Sequence, residues 1–107
     1  MAMPSAEELN LLHANICKAL GDPKRIQLLY LLHEEPRHVS ALADHLDVPQ
    51  PTVSRHLAIL RERALVTTER DGALVVYSLA DQSIVAVLDS MRQILRDILD
   101  RQADVIL

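Results

Sequence analysis

The chain has 107 residues, half of them apolar, which suffices for one modest core and leaves little for a second domain. Aromatic residues make up only 2%, so the core must come from Leu, Ile, Val and Ala, a composition that favours helix packed on helix and disfavours base-stacking platforms for single strands. The net charge of −4 excludes a uniformly cationic surface, yet Lys and Arg counted against Asp and Glu give +1 over residues 49–80 and a negative balance in every other stretch, so Arg55, Arg61, Arg63 and Arg70 form a local basic segment open to phosphate.

In chain order, the first eight residues lack a basic region followed by an apolar run. No stretch approaches the roughly 18 uninterrupted apolar residues of a membrane span, so a soluble, unprocessed protein with no membrane partner is expected. Ser5 followed by Glu8 reads as a capping box, and Leu9, Leu12, His13, Ile16 and Leu20 recur at helical spacing. Helix one is predicted from Ala6 to Leu20. It carries Cys17, the only cysteine, which excludes an intrachain disulfide framework and a zinc site of several thiolates, and fits a reducing cytoplasmic address. Among His13, Ile16 and Leu20 this thiol is expected on an apolar face, buried and inert.

Gly21 ends the first helix, and Asp22-Pro23 supplies a cap and a first-turn proline for a second helix over Pro23–His33. Its apolar positions Ile26, Leu28, Leu29, Leu31 and Leu32 nearly encircle it, which predicts a central, largely buried element. Pro36 closes it. Val39, Leu42, Ala43 and Leu46 mark a short third helix, Asp47-Val48-Pro49 a turn, and Val53, Leu57, Ile59 and Leu60 a fourth helix. Two short helices joined by a tight turn make a helix-turn-helix. Strand propensity over Leu65–Arg70 and Ala73–Leu79, with Asp71-Gly72 between, predicts a β-hairpin, the wing. From Asp81, which suits an N-cap, the residues Ile84, Val87, Leu88, Met91, Ile94, Leu95, Ile98 and Leu99 give a long amphipathic helix five reaching about Gln102. The predicted fold is mainly α with a two-stranded β-hairpin, a single winged helix-turn-helix domain in the order α-α-α-α-β-β-α. Helices one and five carry more apolar residues than one small core needs, so a homodimer paired through them is expected.

The stretch Thr52-Val53-Ser54-Arg55-His56-Leu57, then Leu60-Arg61 and Leu65-Val66, together with Leu20-Gly21-Asp22-Pro23-Lys24-Arg25 and the wing tip Arg70-Asp71-Gly72, resembles the ArsR/SmtB family of dimeric repressors over residues 12–95. The resemblance implies an effector-responsive repressor that binds a palindromic operator as a homodimer. Two positions depart from the family pattern. Pro49 stands where a capping Ser is usual, and Ala64 where the helix is usually followed by Gly; Ala64 costs about 1 kcal/mol if it adopts positive φ.

A helix inserted in the major groove presents its N-terminal residues to base edges while flanking Ser, Thr and Arg hold phosphates. Gln50, Thr52, Ser54, Arg55 and His56 are the candidates, with Gln50 suited to adenine and Arg55 to guanine or phosphate. Arg70 on the wing is placed for the adjacent minor groove or backbone. The alternative reading of these residues is a solvated helix face, belonging to a winged protein-interaction module without DNA binding.

One metal site of the family uses Asp-x-His and, ten residues on, His-x-x-Glu on helix five; the matching residues here are Asp81, Ser83, Ile94 and Asp97, with both imidazoles missing. The other uses Cys-x-Cys on the third helix, matched by His38 and Ser40. No metal is therefore expected at these positions, and His38 is expected at a helix start in solvent. The effector is unknown, and Cys17 is the alternative sensor, through oxidation, persulfidation or alkylation. No phosphate loop, paired catalytic carboxylates or nucleophile triad occurs, so neither an enzyme nor a bound cofactor is expected.

Overall fold

The computed structural model describes residues 2–106, with side chains described as far as residue 104. The first helix, α1 (6–20), begins as the capping box requires. Ser5 lies in extended backbone and its Oγ accepts from the Glu8 N–H at 3.1 Å. The helix is not uniform: between Ala6–Leu12 and Lys18–Leu20, residues His13–Cys17 widen into a π turn. The Asn15 side chain enters the ladder there, its Nδ2 donating to Leu11 O at 2.8 Å. Ala6–Leu12 buries no residue, whereas Ala19 beyond the π turn is in the core.

Asp22 caps α2 (Pro23–Glu34) by accepting from the Lys24 N–H at 2.8 Å, and Pro23 occupies the first turn, where a missing N–H costs nothing. The Lys24 amide holds the Asp22 carboxyl below its ordinary range, with the Arg25 charge adding to the effect. Leu28, Leu29 and Leu32 are buried, so α2 is the central element its sequence predicts. After it come α3 (Val39–Leu46) and α4 (Gln50–Glu62). Leu42, Ala43, Val53, Leu57 and Leu60 from these two join Leu28, Leu29 and Leu32 in one cluster, closed by Leu65, Val66 and Leu88.

The sheet corrects the expectation of two strands: among the described residues it has three. Arg37–His38 (β1) pairs antiparallel with β3 (Leu74–Leu79), which also pairs with β2 (Val66–Asp71), in the order β1-β3-β2. Two residues between Pro36 and a helix are too few to show alternation, which is why periodicity missed β1. The hairpin turn is also one residue later than Asp71-Gly72, because Asp71 still pairs with Leu74 and the turn is Gly72-Ala73. Of the two turn residues only Gly72 has positive φ, +64°, the pattern of a two-residue turn with Gly at its first central position.

The last helix, α5 (Ser83–Ile106), is 24 residues long and outlasts the expected end near Gln102. Asp81 caps it, its Oδ1 accepting from the Ser83 N–H (2.9 Å) and hydroxyl (2.7 Å), contacts that lower the carboxyl pKa. Val85 and Leu88 anchor α5 on the core, and the Tyr30 hydroxyl of α2 donates to Asp89 Oδ1 at 2.6 Å while Arg92 sits 5.4 Å above the Tyr30 ring. That hydroxyl is the main reason the Asp89 carboxyl is held low. Beyond it Met91, Ile94, Leu95, Ile98 and Leu99 remain 37–57% exposed.

Candidate nucleic-acid interface

The helix-turn-helix is set by its turn. Asp47 adopts the left-handed region (φ 54°), tolerable for a short polar side chain, and its N–H and that of Val48 return to Asp44 O and Ala43 O. Val48-Pro49 then starts α4. As its composition requires, Pro49 gives no side-chain cap; its carbonyl instead receives the N–H groups of Thr52 (3.0 Å) and Val53 (3.3 Å). With no acidic residue in the first turn, the positive end of the α4 dipole is left uncompensated.

Val53, Leu57 and Leu60 hold one face of α4 in the core at 0% exposure. The opposite face then necessarily points outward, and on it Gln50, Ser54 and Arg55 are exposed, with Thr52 and His56 half-buried at its edge. The end of α4 is held by Ala64 at φ +60°, the left-handed stop that the family usually gives to Gly, with Leu65 N–H bonded to Leu60 O.

The seven arginines from residue 25 to residue 92 divide into two groups. Arg25, Arg37, Arg63 and Arg92 are committed to partners within the chain: Arg37 reaches Leu31 O, His45 Nε2 and Glu34, and Arg63 reaches Asn15 Oδ1. Arg55, Arg61 and Arg70 are exposed and, among the described residues, have neither hydrogen-bond nor ion-pair partners. Arg55 and Arg61 lie on α4 and Arg70 on the wing, so the uncommitted charge of this region is where a phosphate backbone would meet the helix-turn-helix.

Two expectations for isolated residues need correcting. Cys17 is exposed, not buried, although its neighbours Ile16, Ala19 and Leu20 pack on the core. His38 does stand at the start of α3, but its ring leaves solvent to lean on the wing, with Nδ1 3.3 Å from Val75 O and Nε2 3.7 Å from Asp71 Oδ2. Asp81 is occupied as a cap, and no group of three or more metal-ligating side chains occurs among the described residues.

Sequence reasoning missed Arg25. Its guanidinium reaches Ala19 O (2.7 Å), Lys18 O (3.2 Å) and His56 Nδ1 (3.2 Å), joining α1, α2 and α4. A signal was present: four residues after Ala19 stands Pro23, which has no N–H for that carbonyl, so a donor had to come from elsewhere.

Comparison with known proteins agrees with this geometry. The sequence profile described as "Bacterial regulatory protein, arsR family" matches residues 22–68, which run from the α2 cap into β2. The chain belongs to the arsR family of bacterial regulatory proteins. This family is one of transcription regulators, not enzymes. The HTH-type transcriptional repressor SmtB of Mycobacterium tuberculosis is 46% identical over 77 residues, covering 71% of this chain and 57% of SmtB, so the chain spans little more than half the length of that relative. The crystal structure of M. tuberculosis Rv0081 superposes with a TM-score of 0.79 at 31% identity, covering 95% of this chain and 99% of Rv0081. The homodimeric winged helix-turn-helix DNA-binding domain of Mb0332 from Mycobacterium bovis, solved by NMR, gives 0.76 at 28% identity over 94% and 95% of the two chains. A mainly helical winged helix-turn-helix with a small antiparallel sheet is thus the architecture of this ArsR-family regulator.

Proposed function

We propose that this ArsR-family chain is a cytoplasmic repressor that binds a palindromic operator as a homodimer, reading bases with α4 and steadying the wing on the backbone. The observation that carries the reading is the uncommitted cationic edge: Gln50, Ser54 and Arg55 stand on the exposed face of α4, and Arg55, Arg61 and Arg70 have no partner among the described residues. Gln50 and Arg55 supply the amide and guanidinium that match adenine and guanine edges, Thr52, Ser54 and His56 flank them, and Arg70 meets the neighbouring groove.

The dimer is assigned to α1 and α5. Leu9 and Leu12 on α1, and Met91, Ile94, Leu95 and Leu99 on α5, are apolar side chains 44–57% exposed in the single chain, and two reading helices about 34 Å apart fit successive major grooves. The Mb0332 domain, of like fold, is described as homodimeric and DNA-binding.

The test is a gel-shift titration on a duplex selected by the protein from a random pool. Arg55→Ala weakens binding by about 1–3 kcal/mol while the dimer persists, and affinity falls steeply with added salt. Unchanged binding by the variant, or no duplex bound even in dilute salt, would favour the protein-interaction module instead.

The effector acts elsewhere than the family's usual metal positions, where Asp81 is a helix cap and Ser83, Ile94 and His38 replace ligands. The exposure of Cys17 favours a thiol effector as a second reading. Release of the duplex by oxidant in the wild type but not in Cys17→Ser supports it; release by zinc in both proteins overturns it.

A further inference from the structure

Arg25 lies in the first turn of α2, yet all three of its hydrogen bonds leave that helix. Nε and Nη2 take the carbonyls of Ala19 and Lys18, the last turn of α1, and Nη1 lies 3.2 Å from Nδ1 of His56 on α4. The carbonyl end of α1 is the negative end of its dipole, so a planar cation there is favoured twice, by charge and by the missing Pro23 amide.

The third contact fixes chemistry as well as position. A guanidinium nitrogen can only donate, so Nδ1 of His56 must accept, and the ring is neutral with its proton on Nε2. No side chain or carbonyl among the described residues accepts from Nε2. His56 therefore keeps a single N–H donor at the edge of the α4 face that carries Thr52 and Arg55.

We infer that Arg25 is a positioning residue for DNA recognition: it clasps the end of α1 and Nδ1 of His56 together, which sets the pose of α4 against α1 and holds the His56 Nε2–H outward as a donor to DNA. The inference rests on the DNA-binding reading above. It makes the pose of the reading helix depend on the same helix that carries Leu9 and Leu12 into the dimer. Arg63, just past the end of α4 and bonded to Asn15 at 3.3 Å, is a second tie to α1, so α4 is fastened to α1 at its middle and at its C-terminal end.

Two measurements on the full chain test this. Long-range proton–nitrogen NMR at a pH above the histidine range reads the tautomer: the wild type shows Nδ1 unprotonated and Nε2 protonated, and Arg25→Lys, whose single ammonium can serve the α1 carbonyls without also bridging to the ring, shows a mixture. On the wild-type-selected duplex, Arg25→Lys and His56→Ala each weaken binding about tenfold, and the double variant loses about tenfold as well, because both act through one contact. Arg25→Lys keeps wild-type helicity and remains a dimer. A wild-type ring protonated on Nδ1, wild-type affinity in Arg25→Lys, or losses that multiply to about a hundredfold would each overturn the inference. If the wild type selects no duplex at all, the DNA-binding reading falls first and the inference with it.

Discussion

Single positions where the backbone departs from ordinary conformations are where stability can be moved without touching the reading face. Ala64 holds φ +60° because the chain must reverse between α4 and β2, and its Cβ crowds the backbone there. Ala64→Gly removes that strain and raises stability by up to about 1 kcal/mol, measured as a higher midpoint in urea or heat, with duplex binding unchanged. A lower midpoint would show that unfolded-chain entropy outweighs the strain. Ala64 also illustrates what sequence reveals at this scale. Its positive φ was raised only by the resemblance, which puts Gly at that position, whereas the missing side-chain cap at Pro49 follows from the residue type itself. The exposure of Cys17 and the role of Arg25 were not legible, because both depend on tertiary packing and contacts that local spacing does not encode.

Elements were the most legible level. Helix boundaries followed the caps at Ser5, Asp22 and Asp81, each of which accepts the backbone N–H its position predicts. What periodicity could not supply was β1, whose two residues owe their extended form to pairing with Tyr77 and Val76 and not to their own pattern. The long helix was predicted from its apolar repeat, but that repeat divides: Val85 and Leu88 face the core, while Met91, Ile94 and Leu95 stay more than half exposed. Leu95→Asp separates these uses. It leaves the fold intact, since Leu95 is 54% exposed, but sets two carboxylates against each other across the proposed interface. The expected outcome is a monomer by analytical ultracentrifugation with unchanged helicity and weakened duplex binding. A dimer of undiminished strength would move the interface away from α5.

For the molecule as a whole, size and charge set the remaining expectations. A radius of gyration of 16.5 Å exceeds the roughly 13 Å of a near-spherical chain of this length, because α5 and the wing project from the core. The extra surface is where the dimer proposed above would bury area. Charge sets the acid limit. Asp22, Asp81 and Asp89 are held below their ordinary value of 3.8 by an amide, a serine and a tyrosine donor respectively. A carboxylate depressed in the folded state contributes its stabilisation in full above the unfolded pKa and loses it as pH falls through the folded one. These three carboxylates therefore leave the melting temperature unaffected above about pH 5 and lower it below about pH 4. Asp89→Asn flattens part of that drop; the same slope in the variant would show that Tyr30 does not hold Asp89 in solution. The π turn at His13–Cys17 bears on the whole assembly too. One additional residue in a helix advances its phase by about 100°, so Leu9 and Leu12 point in a different direction from Ala19 and Leu20, with which an uninterrupted helix would align them. A single rod can thereby serve two audiences, its own interior and the second copy proposed above, with neither surface constrained to share the other's direction.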